Sequence, residues 1–439
     1  MKESFNIWIG LRASDYQMFT DLVEIDQIVS IDTDDTNGVP LMSREALSKR
    51  RGPWSNDELL AVTDIEQFKA LCGKITALET PVNIYCYHSF SLLEELAREY
   101  KHIHVHSSSI ELRNRLDDKL QFIDLLNTLD LPRVLSFSNT INNLSFAEIV
   151  DKAGLPMVLK LKVGASGGQT YFVSTEDDFL KLQQVLGNEV VIVSPYVSGP
   201  SLNINGFIGR EGVYLDQPSL QIIGVPECSS GRFTYCGNDF AGFYKNHPYL
   251  ANDIRQVTQK LAWYMKDLGY YGVFGIDFIY NLKDKVLYPL EINPRMQGST
   301  ALLARYQLVR KAPRLVDLYV SETEAFQCVE NVDASFILLH NLSNKRLRIE
   351  NSFVSGIYAF AFVEDKLKLT YLGNDVLFPT QKNELLVLGC PPAGTVVEPG
   401  AGIMRIEFGG PILKKEGTRL KKLYSKVATD MYNTLWKQK

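Results

Sequence analysis

Between Gly272 and Ala301 the sequence GVFGIDFIYNLKDKVLYPLEINPRMQGSTA gathers three side chains with hard oxygen donors, Asp277, Glu291 and Asn293, and a guanidinium two residues further on, Arg295. Such oxygens suit magnesium, or manganese, shared between protein and phosphate oxygens. An acidic pair on a strand is as a rule only a solvated sheet face, so the case depends on what positions the pair. In 272–281, Phe274, Ile276, Phe278 and Tyr280 alternate with Val273, Gly275, Asp277 and Ile279, which reads as a strand with an apolar face and a face carrying the acid. In 286–293, Tyr288, Leu290 and Ile292 are expected on the apolar face, with Glu291 and Asn293 together on the other. A turn over Leu282 to Lys285 then sets Asp277 opposite Glu291.

Other residues with chemistry to offer lie upstream. Residues 110–128 space Leu112, Leu116, Leu120, Ile123 and Leu126/Leu127 at helical intervals and place Lys119 beside Asp117 and Asp118. The strand from Met157 to Lys160 is followed by Gly164, Gly167, Gly168 and Gln169 before the strand Thr170 to Val173. Glycines there can lay backbone N–H groups against phosphates, although the spacing is not that of a P-loop. The polar and aromatic stretch CSSGRFTYCGNDFAGFYKNHP reads as a long loop with Arg232 a candidate contact for an anionic substrate, and it reads equally well as structural. The segment SREALSKRRGPWSNDE lacks apolar periodicity and is expected to be a mobile basic loop. Arg50 and Arg51 could meet an anion there, but a solvated surface is the better reading. His102, His104 and His106 share one face of a strand, yet no acid or cysteine stands nearby to complete a metal site.

Length and composition bound the rest. A chain of 439 residues exceeds one core and suggests about three domains. A formal net charge of −5 argues against nucleic-acid binding by bulk electrostatics. The 6 cysteines are scattered with no CxxC pair, as expected of free thiols in a reducing cytoplasm. No apolar run approaches membrane-spanning length and the start is not a secretory leader, so a cytoplasmic protein without a membrane partner is expected.

Strands alternating with helices over 1–109 indicate a parallel α/β layer. Residues 110–331 form the central unit, and short strands closed by a terminal helix mark a β-rich region over 332–439.

The segment LEINPRMQGST, with an acidic strand residue fourteen positions before Glu291 and Lys119 and Lys160 upstream in order, resembles the metal-binding hairpin of the ATP-grasp superfamily of carboxylate–amine ligases. The resemblance implies an α/β fold, α+β in part: a parallel pre-ATP-grasp domain, an ATP-grasp domain with a lid over about 131–195, and a β-rich C-terminal domain laid out as in biotin carboxylases and peptide ligases. It implies Lys119 and Lys160 as phosphate lysines, residues 164–169 as the lid loop, and Ser194, Pro195, Tyr196 and Val197 as the hinge at the adenine. It further implies ATP and magnesium, the ion on Asp277, Glu291 and Asn293, with Arg295 catalytic. The expected activity is amide or peptide bond formation through an acyl phosphate, with ADP and phosphate released. The expected substrates are small carboxylates and amines, amino acids or peptides; homodimerisation is open. A biotin-carboxylase-like or carboxyphosphate-forming enzyme and a non-catalytic ATP-binding regulator are the alternatives.

Overall fold

In a computed structural model, described for residues 3–162, 164, 167–322, 326–374 and 377–436, three sheets carry most of the architecture. The first is five-stranded and wholly parallel, in the order Leu41–Ser43, Gln27–Ser30, Phe5–Gly10, Val82–Cys86, Ile103–His106. Its two central strands, FNIWIG and VNIYC, are mostly apolar and buried, as expected where helices cover a parallel sheet on both faces. The second is four-stranded and antiparallel, formed by Phe137–Thr140, Val190–Pro195, Met157–Leu161 and Thr170–Val173, and encloses its own small core of Ile141, Ile149, Leu159, Phe179 and Val191.

The third sheet has ten antiparallel strands and spans the centre and the C-terminal region. From one edge it runs Val286–Asn293, Gly272–Asn281, Ser201–Ile208, Val213–Ile223, Tyr235–Asp239, then Ala334–His340, Gly402–Gly409, Glu384–Leu388, Gly356–Val363 and Lys366–Gly373. Phe274, Ile276 and Phe278 point to one face, where the helix Ala251–Asp267 buries Ile254, Leu261 and Met265 against them. No helix among the described residues is long and apolar enough to cross a membrane.

Three expectations need correction. The helix expected over 110–128 is two helices, Ile110–Asp117 and Lys119–Thr128, broken at Asp118. Asp118 is extended (φ −73°, ψ 112°) and its Oδ1 accepts from the amides of Leu120 and Gln121 at 2.9 and 3.2 Å, so the second helix has a cap in mid-pattern. That break sets Lys119 at the first position of a helix. Asp118→Ala is expected to lower stability by about 1 kcal/mol, read as a lower denaturant midpoint at unchanged slope. Burial opposes ionisation of Asp118, but Lys162 at 3.0 Å and the two amides outweigh it and depress its pKa. The stability it adds is therefore complete above the unfolded carboxylate value, and the wild-type advantage should shrink as pH is taken from about 4 downward.

The basic stretch 43–58 is not a mobile loop. It forms the helices Arg44–Ser48 and Asn56–Leu60 and the strand Arg50–Arg51, which pairs in parallel with Val396–Val397. Arg51 is fully buried, bonded to Glu45 at 2.5 Å and to the carbonyls of Gly389 and Ile403. Arg50 pairs with Glu398. Both arginines join the N-terminal layer to the C-terminal strands. Nor is 228–248 one long loop, since it contains the strand Tyr235–Asp239 and the helix Phe240–Asn246.

Candidate active site

The hairpin pairs Asp277 with Glu291 and Gly275 with Asn293 across the ladder, joined by a turn over 282–285. Phe278, however, pairs with Pro289, so Leu290 is an extra residue in its strand. This bulge corrects the expected apolar face. Leu287, Pro289 and Ile292 are the buried residues, while Tyr288 and Leu290 are half-exposed. In an unbroken strand, Leu287, Pro289, Glu291 and Asn293 would share one face. The bulge reverses the alternation after Pro289. Leu287 keeps its place in the core, and Glu291 and Asn293 turn to the face of Asp277.

Lysines reach the same place from two elements. Lys119, at the start of its helix, sets Nζ 3.1 Å from Oε2 of Glu291 and donates to the carbonyl of Gly164 at 3.2 Å. Lys160, on the four-stranded sheet, lies close enough to Glu291, Asp277 and Lys119 to feel their charges. Burial lowers its pKa, against the pull of Glu291. Lys119 stays fully charged, because Glu291 and Asp117 outweigh its burial and raise its pKa. Glu291 is kept ionised by the two lysines despite burial. Asp277 is pushed up to about 7 by burial and by the charge of Glu291. Two facing carboxylates, one resisting ionisation, fit a divalent cation, since the ion would relieve the repulsion that raises Asp277.

Arg295 bridges the hairpin to the N-terminal layer. Its Nη2 donates to Oδ1 of Asn293 at 2.9 Å and its Nη1 to the hydroxyl of Tyr87 at 2.6 Å, just past the end of Val82–Cys86. Beside Tyr87, Nη1 of Arg113 donates to Nδ1 of His88 at 2.8 Å. Burial and the charges of Arg113 and Arg295 hold His88 down to about 4, so it is neutral near pH 7.

The expected hinge residues lie where the two antiparallel sheets meet. Ser194 and Pro195 close the strand paired with Val158 and Met157, the amide of Tyr196 donates to the carbonyl of Pro156 at 3.0 Å, and the strand Ser201–Ile208 of the large sheet begins four residues after Val197. In the expected lid loop, Ala165 and Ser166 lie outside the described residues. Gly167 has φ +76°, and a Cβ there would lie 1.9 Å from the carbonyl oxygen of Phe233, so the loop approaches 224–234 as only glycine permits. Gly168 and Gln169 turn the chain into Thr170–Val173. Arg232 is exposed and stacks on Phe172, 4.0 Å from the ring centroid. Among the described residues no hydrogen bond or ion pair joins it to Asp277, Glu291 or Asn293. The histidines of 102–106 also stay apart. His102 meets the carbonyl of Ile75, His106 stacks on Tyr85, and among the described residues no cluster suited to a metal includes them.

Sequence reasoning missed the polar floor. Asn203 pairs across the sheet with Asp277 and donates to its Oδ1 at 2.6 Å; Asn205 faces Gly275 and bonds Ser299 and Thr300. A Cβ on Gly275 would lie 1.7 Å from Nε2 of Gln297, so that glycine makes room for a side chain of the loop carrying Arg295. The signal was present in SLNINGFIG, two buried asparagines two residues apart on an otherwise apolar strand. Tyr87 and His88 also had one, since ligands gather outside the carboxyl ends of parallel strands.

Residues 116–299 match the family model of the ATP-grasp domain, a span that contains both lysines, the hairpin and Arg295. Solved structures with low identity share the architecture over nearly the whole chain. The biotin carboxylase domain of Hydrogenobacter thermophilus 2-oxoglutarate carboxylase, in complex with MgADP, ADP and bicarbonate, is 14% identical, with a TM-score of 0.58 over 93% of this chain and 86% of that one. The N5-carboxyaminoimidazole synthetase of Staphylococcus aureus, complexed with ADP, is 12% identical, with a TM-score of 0.54 over 99% and 97%. Biotin carboxylase from Campylobacter jejuni is 12% identical, with a TM-score of 0.55 over 93% and 87%. Residues 116–299 are thus an ATP-grasp domain, set in a fold that the biotin carboxylase and carboxyaminoimidazole synthetase structures share over nearly the whole chain.

Proposed function

We propose that the protein is an ATP-dependent carboxylate–amine ligase acting on amino acids or small peptides. The observation that carries this reading is Arg295, a guanidinium held by Asn293 on one side and Tyr87 on the other. A carboxylate paired with Arg295 would stand beside the metal ligands, where a phosphoryl group could be passed to it. Lys119 and Lys160 would hold the triphosphate, Gly164 to Gln169 would close over it, and Ser194 to Val197 would meet the adenine. Asp277, Glu291 and Asn293 would hold magnesium, which when bound neutralises phosphate oxygens during in-line transfer. The chemistry then balances. A carboxylate oxygen of the acid bonds to the γ-phosphorus as the bond to ADP breaks, the amine adds to the acyl carbon, and phosphate leaves with that oxygen while the amine loses a proton. Arg295 would stabilise the charge on the acyl phosphate and on the tetrahedral adduct.

The same reading divides the chain into a pre-ATP-grasp domain over 1–109, an ATP-grasp domain over 110–331 with its lid near 131–195, and a C-terminal domain over 332–439. It also places the protein in the cytoplasm, in keeping with six free cysteines. A second reading, formation of carboxyphosphate from bicarbonate, is favoured by the bicarbonate complex and the carboxyaminoimidazole synthetase among the solved relatives.

An oxygen-18 experiment tests the proposal. With a labelled acid, an amine and ATP, label is expected in inorganic phosphate and the nucleotide product is expected to be ADP. AMP with pyrophosphate would overturn the acyl-phosphate route. ADP release that requires bicarbonate and no organic acid would select the second reading.

A further inference from the structure

Below the loop that carries Arg295, three arginines are buried where the N-terminal layer, the helix Thr300–Val309 and the strand Gly402–Gly409 come together: Arg12, Arg305 and Arg405. Arg12 is balanced by Asp15, 2.9 Å away. Arg305 and Arg405 share a single carboxylate. Nη2 of Arg305 and Nε of Arg405, the latter at 2.5 Å, both meet Oε1 of Glu407, which is itself fully buried. Nη1 of Arg405 donates to the carbonyl of Gly298 at 2.7 Å, and its guanidinium lies over Phe336.

Two cations against one anion leave a positive charge shut away from water. Among the described residues, Nε and Nη1 of Arg305, Nη2 of Arg405 and Oε2 of Glu407 have no hydrogen-bond partner. Buried charged donors without partners are costly, and here donors outnumber the open acceptors, Oε2 of Glu407 and Oδ1 of Asp15, so an anion is what would balance the cluster. Burial and the nearby Arg305 and Arg12 push Arg405 down to about 10 in spite of Glu407 and Asp15, which also marks a guanidinium short of negative charge. The link to the reacting centre is the loop itself. Gly298, the acceptor from Arg405, stands three residues past Arg295, and a Cβ on it would lie 2.8 Å from the hydroxyl of Tyr235.

We propose that Arg305 and Arg405 form a binding site for a second carboxylate of the acid substrate, which is therefore a small diacid with its reacting carboxylate at Arg295. The assignment of that substrate rests on the ligase reading; the anion site does not.

The test is binding to the full chain without nucleotide, by calorimetry and thermal shift, with succinate against butyrate and glutamate against glutamine. Inorganic phosphate serves as a separate arm. Each diacid is expected to bind at least about tenfold more tightly than its monoacid partner, the scale of one added charge-assisted pair. Glu407→Gln releases donors now spent on the carboxylate, so diacid affinity should rise even where the melting temperature falls; a purely structural triad would change stability alone. Arg405→Lys keeps charge but loses the fork, and the diacid preference should disappear. Should either variant fail to fold, the wild-type comparison still decides. Equal affinity for diacids and monoacids, or binding of phosphate alone, overturns the proposal even if ADP is released with some other acid. Diacid binding with no ADP release under any condition would overturn the ligase reading and leave the anion site standing.

Discussion

Glu291→Gln is expected to reduce ADP release by about a hundredfold or more while the protein stays folded by circular dichroism. The substitution keeps the shape of the side chain and removes one negative charge from a site that sets Glu291 directly across the ladder from Asp277 and 3.1 Å from Lys119. Without that charge Asp277 ionises more readily, because the repulsion that raised it is gone. The two changes partly offset in the resting protein. They do not offset in the working one, where the proposed site must neutralise a nucleotide and hold a divalent ion with a single remaining carboxylate. The loss should be deepest at limiting magnesium and should ease as magnesium is raised. Wild-type turnover of Glu291→Gln at limiting magnesium would remove the metal assignment.

The pairing of Asp277 with Glu291 was legible because the strand Gly272–Asn281 alternates cleanly and the turn LKDK has few ways to close. The face of the second strand was not. Period-two reading assumes one residue per rung, and the bulge at Leu290 adds a residue that no local composition announces. Asp277, Glu291 and Asn293 still share one face, because the bulge shifts only the residues before it, and parity counted back from Glu291 puts Tyr288 and Leu290 in the core in place of Leu287 and Pro289. Helical spacing over 110–128 concealed a break for a related reason. Asp118 reads as one more surface acid until its carboxylate is seen to cap the next turn. Arg51 shows the opposite limit. A charged residue in an unpatterned stretch reads as solvated, and beside the nearby Glu45 it takes the carbonyls of Gly389 and Ile403, from far along the chain, to complete the partners that let Arg51 be buried. Contacts of that sequence separation are set by the assembled layers and leave no local trace. The arginine cluster below the site was hidden in the same way, since Arg12, Arg305 and Arg405 come from three distant segments.

Arg295→Met separates binding from chemistry. The guanidinium stands beside the proposed metal ligands and makes its hydrogen bonds to Asn293, Tyr87 and the carbonyl of Met296; among the described residues none goes to the lysines. If its partner is the reacting carboxylate, its contribution grows as charge develops during transfer, so kcat should fall by about a hundredfold to a thousandfold. ATP affinity, measured directly, should change only slightly. Loss of the bond to Asn293 could also loosen the ion site, and a magnesium titration separates that effect, because a weakened ion site is rescued by excess magnesium and a missing guanidinium is not. Arg295→Lys should fall between the two, keeping the charge and losing the planar fork that matches a carboxylate. A fall in ATP affinity as large as the fall in turnover would place Arg295 on the nucleotide and remove it from the acid.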